Sequence, residues 1–259
     1  MLSLTKKASA PSFLLYASEF GRALTELGIN YPIQSLSKPS KAESDGHPVM
    51  VLPGFMSTKT ATTLLREHIS KSGYPVYDWG MGRNLGKMEY LAPLVQRLEA
   101  IYKKHNQKVS LIGWSLGGVF AREIAKARPD LVRQVITLGS PFKDITHPNN
   151  AQWVYSLITG GKEVRDTDWA LLENMPEPPP VPTTAVYSKE DGIVPWHVCM
   201  EKVETDIHQN VQVRGSHLGL GVNTSVFWIV SDRLKYKKEN WRHFKPDGKV
   251  KELLFYPSF

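Results

Sequence analysis

The 259-residue sequence predicts an α/β fold: one mostly parallel sheet, covered by helices on both faces, with a short helical insertion. Three observations carry this. Short apolar, β-branched runs recur at 49–53, 74–79, 109–113, 134–139, 183–188 and 211–214. Between the first four lie segments with helical spacing of apolar residues, at about 58–71, 88–105 and 116–127. The runs are apolar throughout instead of alternating, which suits strands buried on both faces of a parallel sheet.

Taken in order, the first element is a helix over 13–27. Phe13, Ala17, Phe20, Leu24 and Leu27 fall on one face of it, and Gly28 reads as its end. That face is expected to pack onto the domain, with membrane contact as the less favoured reading. A polar loop follows, SLSKPSKAESDGH, and then the strand–helix rhythm begins. The rhythm breaks at 142–182, where helix-like pieces at about 149–158 and 167–174 intervene before the strand TTAVYS. This segment reads as an insertion, and a helix around 223–238 follows the last strand. No internal linker, repeat or low-complexity block divides the chain, so 1–259 reads as one domain.

The charge balance, 32 − 25 = +7, is moderately basic. Eight Lys or Arg fall between Arg233 and Lys251, so 235–259 reads as a basic C-terminal tail. A solvated helix and tail accounts for it, and attraction to an anionic membrane surface is the alternative. No nucleic-acid motif accompanies the charge. Cys199 is the only cysteine, which excludes an intrachain disulfide and a multi-cysteine metal site. With no signal-like segment and no membrane-length apolar window, the expected compartment is the cytoplasm. Oligomeric state is open.

Ligands of open parallel sheets sit beyond the carboxyl ends of the strands, so the residues after each strand are the ones to inspect. After VSLIG comes GWSLGG. Gly113 and Gly117 permit a sharp strand-to-helix turn that lifts Ser115 clear of the sheet, and the helix start behind it favours developing negative charge. G-x-S-x-G alone is weak; at a strand–helix junction it marks Ser115 as a nucleophile.

A serine needs a base. Among eight histidines, His217 in VRGSHLGLG directly follows the last strand. His197 lies too close in sequence to the expected acid; the others lie in helices, in the insertion, in the tail, or before strands. The third member orients the imidazole. Asp191 in KEDGIVPW follows TTAVYS, giving the order Ser115, Asp191, His217, with Glu190 as a possible substitute. Acyl transfer also requires oxyanion donors. The Leu116 amide is one; the other comes from Gly54-Phe55-Met56, with the Phe55 amide preferred and Met56 second.

With the PGF loop, GWSLGG elbow, DGIVPW turn and GSHLGL loop in order over about 48–234, the chain resembles an α/β-hydrolase of the lipase/esterase type. The resemblance implies an eight-stranded, mostly parallel sheet, a triad free of metal and cofactor, and a lid at 142–182. Pro53-Gly54 stands where many members carry His-Gly. The expected reaction is hydrolysis of carboxylic esters, small-molecule or lipid, through an acyl-enzyme on Ser115. A thioesterase, an acyltransferase and a non-catalytic ligand-binding protein on this scaffold are the alternatives. Met56, Trp114, Trp153 and Trp169 are the candidate substrate contacts, and the apolar lid residues serve either an acyl chain or the packing of the lid. In the Gly-rich run at 80–84, Arg83 or Asn84 faces substrate or simply builds the turn.

Overall fold

The computed structural model describes residues 11–36, 44–143 and 174–258. Among them six strands form one sheet, every neighbouring pair parallel: β1 (Val49–Leu52), β2 (Val76–Asp78), β3 (Val109–Trp114), β4 (Val132–Leu138), β5 (Thr183–Ser188) and β6 (His208–Val213). The spatial order β2-β1-β3-β4-β5-β6 puts β3 in the middle. Six strands stand among the described residues where the family resemblance implies eight.

Each strand serves two apolar layers because successive side chains point to opposite faces. Met50, Leu52, Val109 and Leu111 pack with helices α3 (Leu91–His105) and α4 (Leu116–Ala127). Val49, Val51, Ile112 and Trp114 pack on the other side, with α2 (Thr63–Lys71) and α5 (Thr224–Leu234). This is the doubly covered sheet the uninterrupted apolar runs predict.

One segment departs from expectation. Helix α1 spans Phe13–Leu36, running through Gly28 and Pro32. Its apolar stripe faces outward: Phe13 is 80 % exposed, Phe20 69 % and Leu24 54 %. Glu19, only 3 % exposed, lies on the face toward the domain. The described basic segment, 235–258, keeps most of its lysines in solvent, as a solvated tail would, and is anchored by apolar residues. Trp241, Phe244 and Tyr256 are buried, the Tyr256 hydroxyl donates to Ser225 O at 3.1 Å, and a last helix, α6 (Lys249–Phe255), packs Phe255 on Trp228.

The described ends of the 142–182 segment belong to the body. Phe142, Met175 and Val181 are buried. Arg122 on α4 stacks on Phe142 at 3.7 Å and donates to Glu177 O, while pairing with buried Glu201. The interior of the segment, including Trp153 and Trp169, lies outside the described residues. Among the described residues no helix is long and apolar enough to cross a membrane.

Candidate functional site

Ser115 stands between the last residue of β3 and the first of α4, at φ 53° and ψ −125°. A non-glycine residue in such a conformation costs roughly 1–3 kcal/mol, so its surroundings must enforce it. The sheet does so: Ser115 N donates to Leu138 O at 2.8 Å, and Ser115 O accepts Gly118 N at 2.9 Å. The α4 start is pressed so closely on the end of β1 that a β-carbon on Gly117 would collide with the Leu52 and Pro53 carbonyls. Ser115 is thereby set just past the last residue of β3, partly exposed.

Asp191 and His217 arrive from the loops leaving β5 and β6. Asp191 Oδ1 accepts the amides of Ile193 at 2.9 Å and Val194 at 2.6 Å, and its Oδ2 meets His217 Nδ1 at 2.6 Å. Both residues are 3 % exposed. The bond assigns the ring proton to Nδ1 and leaves Nε2 as the basic nitrogen. Burial works against a charged imidazole, but the Asp191 carboxylate and its hydrogen bond, with Glu19 behind them, outweigh it, and the His217 pKa is raised. Glu190 turns elsewhere, accepting Gly215 N at 3.0 Å, so Asp191 is the carboxylate that meets the ring.

Two contacts bring the pair to the serine's end of the sheet. The Trp114 indole N–H, from the residue before Ser115, donates to His217 O at 3.1 Å. Gly139 directly follows Leu138, the acceptor of the Ser115 amide, and has φ +56°. A β-carbon there would fall 2.7 Å from Leu220, 3.2 Å from His217 Nδ1 and 3.3 Å from Asp191 Oδ2. Only glycine combines that conformation with that approach.

The other described histidines are engaged elsewhere. His47 bonds Asp45 and Ser110, His68 bonds Ser231, His105 bonds Tyr77, His208 bonds Pro179 O and His243 bonds Thr205 O. His197 lies in a short turn against Trp196.

The loop after β1 separates its two candidate amides. Met56 N donates to Asn84 O at 2.7 Å, whereas the Phe55 amide has no protein acceptor among the described residues. The Leu116 amide, first in α4, lacks an intrahelical acceptor by position. Asn84, fully buried, is what shapes this loop: it donates to Pro53 O at 2.8 Å and its amide donates to Ser57 O at 2.9 Å. Arg83 donates to Met56 O at 2.8 Å. The GMGRN run therefore builds the turn and the loop beside it. Met56 exposes 50 % of its surface. Trp114, at 8 %, mainly supports the His217 loop.

Glu19 is the neighbour the sequence did not single out. Its carboxylate accepts the amides of Gly192 at 2.7 Å, His217 at 3.1 Å and Leu218 at 3.1 Å. The available signal was the stripe Glu19, Arg22 and Glu26, at i, i+3 and i+7 in a helix. Among the described residues no group of His, Cys, Asp and Glu is arranged to hold a metal ion.

Comparison with known proteins agrees with this architecture. Residues 80–169 match the PGAP1-like alpha/beta domain family. No curated protein matches the chain in sequence. Among solved structures, the chain is similar to a monoacylglycerol lipase of Paleococcus ferrophilus (16% identity, TM-score 0.52), over 73% of this chain and 93% of that one. It is also similar to the mature lipase BlEst2 of Bacillus licheniformis (18% identity, TM-score 0.54), over 76% and 94%. A thioesterase domain from the curacin biosynthetic pathway aligns at 13% identity and TM-score 0.51, over 76% and 93%. The six-stranded parallel sheet, its two helical layers and these likenesses together show the α/β-hydrolase fold.

Proposed function

We propose that the chain is a serine hydrolase of carboxylic esters with a hydrophobic acyl group. The observation that carries this is the buried Asp191–His217 pair, 2.6 Å apart, at the sheet edge where Ser115 is held at φ 53°. Ser115 Oγ attacks the ester carbonyl carbon and passes its proton to His217 Nε2. Asp191 stabilises the imidazolium, and the Phe55 and Leu116 amides receive the oxyanion. The C–O bond to the alcohol then breaks, and the proton on His217 goes to the departing alkoxide. Water, deprotonated by the same nitrogen, attacks the acyl-enzyme and releases acid and free serine.

The apolar preference is supported by Met56, Leu85, Trp196 and Leu218. All are exposed large apolar residues, and all follow carboxyl ends of strands. A thioesterase is the second reading, favoured by the thioesterase domain among the similar structures; it uses the same acyl-enzyme and differs in the leaving group.

The test is hydrolysis of p-nitrophenyl esters from short to long acyl chains, with acyl-thioesters in parallel, for the native chain and Ser115→Ala. The expected result is turnover that falls by at least about 10³-fold in the variant, with an optimum above the shortest ester. Equal rates in the two proteins, or none on any substrate, would overturn the assignment. A clear preference for thioesters would establish the second reading.

A further inference from the structure

We propose that Glu19, on helix α1 and far in sequence from the other site residues, is a positioning residue that fixes the Asp191 and His217 loops against each other. The proposal rests on the serine-hydrolase reading of those loops.

The geometry is specific. One carboxylate oxygen of Glu19 accepts amides from both loops, Gly192 N at 2.7 Å and His217 N at 3.1 Å, and the other accepts Leu218 N at 3.1 Å. A single carboxylate thus spans the residue after the acid, the base itself and the residue after the base. Arg22, one turn along, pairs with Glu19 at 2.9 Å and donates to Glu190 O at 2.8 Å, the carbonyl just before Asp191. Glu26 accepts Ser216 N at 2.7 Å. Helix α1 therefore holds residues 190, 192, 216, 217 and 218 through polar groups.

Burial gives the arrangement its weight. The Glu19 side chain is 4 % exposed, and a buried carboxylate is tolerated only when donors surround it. Here three amides and a guanidinium do so. Nothing in this demands a helix oriented by hydrophobic packing, and the apolar stripe of α1 does face outward, with Phe13 and Phe20 at 80 % and 69 % exposure. The helix is seated by its polar stripe, and that stripe lands on the two loops that carry the acid and the base.

A second consequence is electrostatic. The charged groups nearest His217 are Asp191 from the β5 loop and Glu19 from α1. Arg22 and Glu26 on α1 stand behind, and Glu190 lies beyond Gly215. Glu19 adds negative charge that favours the imidazolium formed during acyl transfer, in the same direction as Asp191.

The experiment compares Glu19→Gln and Glu19→Ala with the native chain, following kcat and KM for a p-nitrophenyl ester across pH. Glutamine retains a carbonyl for Gly192 N and His217 N but loses the charge and an acceptor for Leu218 N. Its acidic limb in kcat/KM is expected to move to lower pH, with kcat down by about tenfold and KM little changed. Alanine is expected to lose on the order of a hundredfold in kcat, as a displaced base does. A glutamine variant whose acidic limb and kcat both match the native chain would overturn the proposal, even if alanine fails to fold. Because ester turnover itself tests the hydrolase reading, the His217 imidazole is titrated separately by NMR. A midpoint that falls in Glu19→Gln supports the positioning role whether or not esters are cleaved, and an unmoved midpoint overturns it.

Discussion

Two Ser–His–Asp arrangements sit at opposite ends of β3. At the carboxyl end are Ser115, His217 and Asp191. At the other end, Ser110 Oγ lies 2.8 Å from His47 Nε2, whose Nδ1 lies 2.6 Å from Asp45 Oδ1. Residue types and the His–Asp bond match, yet the two groups differ in their surroundings. Ser110 and His47 are fully buried. Ser110 lies inside β3, its amide bonded to Pro48 O and its hydroxyl also reached by Gln134.

The electrostatics diverge as well. Burial lowers the His47 pKa, and Arg133, paired to Asp45 at 2.8 Å, lowers it further against the pull of Asp45. At His217 two carboxylates win over burial and the pKa is raised. Arg133 shares the acid at His47, whereas a second anion, Glu19, reinforces it at His217. What sets the candidate site apart from the buried group is therefore backbone placement at a strand end, a partly exposed serine, and the sign of the surrounding charge.

The largest contrast should come from the histidines. His217→Gln is expected to lower kcat/KM for an ester by about 10³- to 10⁴-fold. His47→Gln should leave the rate within a factor of about two and lower folding stability by about 1–3 kcal/mol through the bonds it leaves unmade, read by urea denaturation. A rate collapse in His47→Gln would break the comparison.

pH sharpens it next. Activity requires neutral His217, so the acidic limb of kcat/KM should lie above the ordinary imidazole value of about 6.5. For stability the signs oppose each other. His47, with its folded pKa depressed, contributes stability present above that ordinary value and lost as pH falls toward its folded pKa. His217, with its folded pKa raised, contributes below the ordinary value and loses that contribution as pH rises through its folded pKa. Denaturation across pH in His47→Gln should therefore show a shallower loss of stability on the acid side than in the native chain. An unchanged slope would refute the buried neutral state of His47.

The smallest expected effect is at Ser110. Ser110→Ala should cost about 1 kcal/mol of stability, a typical value for one buried hydrogen bond, and should not alter ester turnover. A loss of turnover comparable to that of Ser115→Ala would mean that the two ends of β3 had been assigned the wrong way round.

Much of this was legible because it is local. GWSLGG follows a strand and opens a helix, and the crowding that demands Gly117 arises within one strand–turn–helix unit and the neighbouring β1. Asp191 and His217 could be found from their places after strands and from chain order. The choice between Asp191 and Glu190 could not, since adjacent residues in a turn differ only in where their side chains point. Likewise the sequence preferred the Phe55 amide over that of Met56 without a contact to decide it, and in the structure Asn84 O takes the Met56 amide.

Helix α1 shows the limit most plainly. Its apolar stripe at 13, 17, 20, 24 and 27 suggested the buried face, and Gly28 suggested an end. The helix instead continues to Leu36 and turns a polar stripe inward. A glycine in a helix costs only about 1 kcal/mol, too little to force a stop.

By itself the sequence determined the parallel, doubly covered sheet, the elbow at Ser115 and the order of the candidate acid and base, because strand burial and turn crowding are written in short-range patterns. The tertiary structure alone decided that Ser115 is partly exposed while Ser110 is fully buried, which amides of the loop after β1 remain unbonded, and that Glu19 joins the loops of Asp191 and His217. Those outcomes depend on partners up to 199 positions apart, as Glu19 and Leu218 are, and on burial that converts a surface-type residue into a fixed charge.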